Sequence, residues 1–174
     1  MPRNLTDRPI VPVLATLVML GLTGCPGTTQ LASPPPVHTL TSGAHCGREA
    51  EGPAVEVLAD PASLERALEQ NGLRLPEGSR PDLGTHWTLL IQQGRRPTLG
   101  HGVTLADPPL VPGDDGDWIL RVTAHAPPPK AAVGQALTSP CLLVALPRHG
   151  LQDPLRVQDQ DGREWATVRP PDAW

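Results

Sequence analysis

The side chains of this 174-residue sequence that could do chemistry are its serines, its three cysteines and its six histidines. An acyl-transfer centre needs a nucleophile beside a base. None of Ser33, Ser42, Ser63, Ser79 and Ser139 stands in the G-x-S-x-G setting that presents such a hydroxyl. Ser63 falls at a helix start and Ser139 precedes Pro140, so both have backbone roles open to them. Cys141 with His101 or His125 would supply a thiol and a base. A Cys heading an apolar run such as 141–146, however, more often packs or bridges than reacts. Histidines 38, 45, 86, 101, 125 and 149 lack the H-E-x-x-H spacing, and His45-Cys46 is the sole close pair of soft ligands. Asp159-x-Asp161-Gly162 has the opening of a calcium loop without its distant Glu. The expectation is therefore no catalytic residue, no cofactor and no metal.

Two loop-like stretches offer recognition chemistry instead. Residues 94–101 concentrate Gly, Pro and the adjacent cations Arg95 and Arg96, and residues 126–140, APPPKAAVGQALTSP, form a connection long enough to be functional in a small domain. Arg95 and Arg96 can meet an acidic partner, and Thr98 and Gln135 can each donate and accept hydrogen bonds. Pro97, Gly100, His101, Thr138, Ser139 and Pro140 complete the candidate binding loops. The alternative is structural: a solvated Arg pair, turn-stabilising Thr98 and Gln135, and a proline-stiffened crossover. A net charge of −4 gives no electrostatic reason to expect a nucleic-acid partner.

The amino terminus carries a different signal. Arg3 and Arg8 precede an apolar run of residues 10–22, too short for the roughly 20 residues of a membrane-spanning helix. Leu22-Thr23-Gly24-Cys25 closes it and resembles the lipobox of bacterial lipoproteins. That resemblance implies a signal peptide over residues 1–24, cleavage before Cys25, and lipid on its sulfur anchoring the protein in the cell envelope. Pro26, where an Asp would retain such proteins at the inner membrane, implies the outer membrane facing the periplasm. Cleavage removes Arg3, Arg8 and Asp7, taking 14 basic and 18 acidic residues to 12 and 17. Residues 25–36 then read as a lipidated Cys and a Pro-rich tether. With Cys25 lipidated, an oxidising envelope favours pairing Cys46 with Cys141; two buried thiols are the other arrangement.

The elements that must position the two loops are mostly strands. Val55 and Val57 alternate with Glu56, and Trp118, Leu120, Val122 and Ala124 share one face of a second run. His86–Gln92, residues 102–105 and residues 141–146 are further strands, the last apolar on both faces and so expected centrally. One helix is signalled by Asp60 as cap, Pro61 at its first position, Leu64 and Leu68 one turn apart, and Asn71-Gly72 at its end. Asp114-Asp115-Gly116 and Asp161-Gly162 mark tight turns between strands. The expectation is a single mainly β domain over residues 37–174, a small antiparallel β-sandwich or barrel-like fold with one covering α-helix.

Gly94, then Arg96-Pro97-Thr98-Leu99-Gly100-His101, a strand pair, Gly134-Gln135-Ala136-Leu137-Thr138-Ser139-Pro140-Cys141 and an apolar strand ending Pro147-Arg148 together resemble the PrcB family of protease-complex subunits. The resemblance covers about residues 86–148. In this sequence Leu99 stands for a Gly, His101 for a usual Tyr, and Cys141 for the later Tyr, which leaves Cys141 open to a disulfide role. It implies a non-catalytic envelope lipoprotein that binds an envelope protein or protease partner. Residues 96–101 are also similar to the N-P-T-T-G-Y loop of chagasin-type cysteine-protease inhibitors, which implies a second possibility, an inhibitor using that loop.

Overall fold

Apolar residues occupy both faces of two strands, and the fold is layered around them. The computed structural model describes residues 34–47, 51–151 and 154–169. The expected signal peptide, the expected lipidation site Cys25 and all but the end of the expected tether lie outside these residues. The elements are β1 His38–Gly43, β2 Ala54–Leu58, α1 Pro61–Gln70, β3 His86–Gln92, β4 Gly102–Pro112, β5 Trp118–His125, β6 Cys141–Pro147, β7 Leu155–Gln158 and β8 Glu164–Val168. They form two four-stranded sheets, ordered β1-β6-β3-β2 and β4-β5-β7-β8.

The alternation of side chains decides what each face buries. Trp87, Leu89 and Ile91 of β3 and Leu142, Val144 and Leu146 of β6 pack against Val103, Leu110, Leu120, Val122, Leu155 and Val157 of the second sheet. The residues between them, Leu90 and Leu143, point the other way and meet Leu58, Leu64, Ala67 and Leu73. The result is three layers: helix, first sheet, second sheet. The doubly apolar run 141–146 sits between β1 and β3, as its pattern predicts.

The helix is set by its ends. Asp60 accepts a bond from the Ser63 N–H at 2.9 Å, and the Ser63 hydroxyl accepts one from the Asp60 N–H at 3.2 Å. This reciprocal capping satisfies two donors that the first turn would otherwise strand. At the other end Gly72 takes a left-handed φ of 60°, which lets the Gly72 N–H reach Glu69 O and the Leu73 N–H reach Leu68 O. Leu73 and Leu68 thereby close the apolar layer under the helix.

The sandwich form is the one found, with two separate sheets and no closed barrel among the described residues. The antiparallel expectation holds for every named strand pair except β5 and β7, which run parallel with Trp118 opposite Leu155. A parallel pair needs a long crossover, and here the chain passes through β6 of the other sheet. The fourth run also extends further than residues 102–105. It continues to Pro112 across a register break between Leu105 and Leu110 that accommodates Pro108 and Pro109, as an edge strand can. At the β4–β5 turn Asp117 takes a bidentate bond from Arg156 of β7.

Candidate functional site

Loop 94–101 leaves the end of β3 and enters β4, and loop 126–140 leaves β5 and enters β6. Gln92 pairs with Cys141 and Gly102 with His125. Both loops therefore cross between the sheets at the same end of the sandwich, and there they meet. The Arg96 N–H donates to Thr138 O at 2.8 Å and the Thr138 N–H to Arg96 O at 2.9 Å, a two-bond bridge. The Leu99 N–H reaches Gly134 O at 3.0 Å, the Gln93 N–H reaches Pro140 O at 2.9 Å, and the Thr138 hydroxyl donates to Thr98 O at 3.0 Å. A Cβ on Gly134 would come within 2.7 Å of a Leu99 methyl, so the Leu99 side chain lies directly against the second loop there.

A third segment completes the zipper. The Cys46 N–H donates to Ser139 O and the Ser139 N–H to Ala44 O, both at 2.9 Å. Cys46 and Cys141 form a disulfide, with Cα atoms 5.9 Å apart across a sequence separation of 95. Residues 138–140 are thus stitched on one side to the first loop and on the other to residues 44–46.

This stitching sorts the sequence candidates into two groups. Thr138, Ser139 and Pro140 are buried and hold the loops together. Arg96 is half-buried, and its guanidinium donates to Gln93 O at 2.8 Å and Arg95 O at 3.3 Å, closing its own loop. His101 is half-buried with Nδ1 enclosed and lacking a hydrogen-bond partner among the described residues. Arg95, Pro97, Gly100 and Gln135 are exposed and Thr98 half-buried.

Two residues stand out by exposure: Leu99, already marked in the sequence as a departure from the family's loop, and Leu137, which nothing in the sequence singles out. Leu99 at 41% and Leu137 at 60% are the exposed large hydrophobics among the described residues, and both lie on the zipped loops. Leu137 and Arg95 line one groove of about 300 Å³ together with His45, Cys46, Gly47, Thr138 and Ser139. The available hint was Cys46 itself, since a bond to Cys141 places residues 44–47 beside the second loop. Among the described residues the groove lining carries a cation and no carboxylate. Residues 83–106 and 118–152, which include both loops, contain no Asp or Glu although the chain as a whole is acidic.

Elsewhere the charged groups serve the fold. Both Asp159 oxygens are occupied within its turn, by the N–H groups of Asp161 and Arg163 and by the Trp165 indole at 3.0 Å. The hydrogen bond from Arg156 holds the Asp117 carboxyl below its ordinary value, against an opposing effect of partial burial. Bonds to the backbone at Ser63 and Gly84 lower Asp60 and Asp82 likewise.

Fold and site together define a β-sandwich that presents a rigid, loop-built end with exposed apolar and cationic groups. Residues 88–147, about a third of the chain, match the family model described as PrcB C-terminal. The matched stretch runs from β3 through both loops to β6. No match was found among curated proteins or among solved structures.

Proposed function

We propose that this protein is a non-catalytic accessory module of an envelope protein complex, binding a protein partner, in the first instance a protease, through loops 94–101 and 126–140. The observation that carries this reading is the coincidence of the family match with the zipped loops, on which the exposed large hydrophobics among the described residues, Leu99 and Leu137, lie. Loops held by backbone bonds and a disulfide are pre-organised, which lowers the entropic cost of binding. Crosslinking the intact protein in its native envelope, followed by isolation and mass spectrometry, tests it. A reproducible stoichiometric partner is expected, and its absence would refute the reading.

The sequence of residues 22–25 supports a lipid anchor on Cys25, with residues 1–24 removed, residues 25–36 as tether and the domain over 37–174 in the periplasm at the outer membrane. Labelled palmitate should enter the wild-type chain and fail to enter Cys25→Ser. Exposure of Leu99 favours one further reading, insertion of residues 96–101 into a protease cleft. That reading expects stoichiometric protease inhibition lost in Leu99→Glu, whereas an accessory subunit leaves proteolysis uninhibited.

A further inference from the structure

The groove beside Leu137 specifies more than that a protein binds. Among the described residues its lining has one strongly exposed aliphatic side chain, one exposed guanidinium and no carboxylate, in a chain of net charge −4. Apolar surface left in water is unfavourable, and an isolated leucine on a surface is ordinary. This one differs in being part of a concavity whose floor, Cys46, Thr138 and Ser139, is buried and fixed by the disulfide and by the bonds to Ala44 and Arg96.

We infer that the groove receives an acidic segment of a protein partner, with a carboxylate at Arg95 and an aliphatic side chain against Leu137. This rests on the binding-module reading and adds the chemistry of the occupant. The argument for a carboxylate is charge complementarity. Two stretches free of acidic residues converge on this end of the molecule, so an incoming anion meets Arg95 without repulsion from the loops themselves. The guanidinium of Arg95 offers a fork of donors matched to a carboxylate, whereas that of Arg96 is already bonded to the backbone of its own loop. A cationic and apolar surface could also suit an anionic lipid layer. The family match favours the protein, since the PrcB C-terminal model covers the residues that carry both Arg95 and Leu137.

The test places a photo-crosslinking amino acid at position 137 of the full-length protein in the cells that make it, with Arg95 intact, Arg95→Lys or Arg95→Glu. The crosslinked peptide is then identified. The expected result is a partner segment with Asp or Glu within a few residues of the crosslink. Its yield should fall modestly in Arg95→Lys, which keeps the charge and loses the fork, and about tenfold or more in Arg95→Glu, since reversing a charge adds repulsion to the lost attraction. Equal thermal midpoints for the three proteins exclude misfolding as the cause. A partner segment without acidic residues, or a yield indifferent to Arg95→Glu, overturns the inference while leaving the binding module standing. Crosslinks to lipid overturn it in favour of a membrane surface. No crosslink from position 137, with a partner still co-isolated, overturns the groove alone; no partner by either route defeats the broader reading too.

Discussion

Asp117 links two parts of the second sheet: it follows the β4–β5 turn and accepts from Arg156 on β7 through both oxygens. Gly113 is needed beside it, because a Cβ there would overlap the carboxylate. The Arg156 bond depresses the Asp117 carboxyl in the folded state, which fixes the direction of a pH effect. A lowered folded value means stability that is present above the ordinary carboxylate range, near pH 4, and is lost as pH falls through the folded value. Asp117→Asn should therefore lower the thermal midpoint at pH 7 and shrink the further drop between pH 5 and pH 2, measured by circular dichroism. An unchanged acid profile would show that the pair contributes nothing. At this scale the sequence was informative where a residue acts on its neighbours, as in Asp60 capping Ser63, and silent where the partner is remote. Nothing near Asp117 in the chain points to Arg156, and nothing near Leu137 announces its exposure.

Among elements, β6 and β3 carry the core because each is apolar on both sides. Leu143, fully buried under the helix, should cost about 2–5 kcal/mol as Leu143→Ala by urea unfolding, while Leu99→Ala, half in water, should cost far less. The loop zipper can be probed similarly. Thr138→Val removes the hydroxyl bonded to Thr98 O, and should cost about 1 kcal/mol with faster hydrogen exchange at the Arg96 and Leu99 amides. Legibility followed local pattern here as well. The helix and β6 declared themselves by capping residues and by a doubly apolar run. The edge strand β1, HTLTSG, has one large apolar residue and shows no strand period, and β4 hid its second half behind Pro108 and Pro109. The parallel pairing of β5 with β7 arises from contacts across an intervening strand of the other sheet, which no local pattern encodes.

For the molecule as a whole, the disulfide ties residues near the start of the described domain to the strand at its centre. Closing a loop of this span restricts the unfolded chain, so reduction or Cys46→Ala with Cys141→Ala should lower stability by about 2–5 kcal/mol. The fold class was visible in strand spacing. That the two candidate loops meet was not, because their meeting depends on both sheets being assembled.

The same bond has a mechanical consequence. Strand β1 lies at the edge of its sheet, with His38 opposite Ala145 and Gly43 opposite Cys141. A pull on the chain ahead of His38, directed across the strand, would part that ladder one rung at a time from the His38 end, the weakest way to load a strand. The rupture would run only as far as Cys46, where force passes through sulfur directly into β6. In a single-molecule trap, peeling residues 38–46 should release about 30 Å of chain and then stop, the rest of the sandwich holding. Under a reducing agent that arrest should vanish, so the disulfide acts as a ripstop for a domain tugged from its amino end.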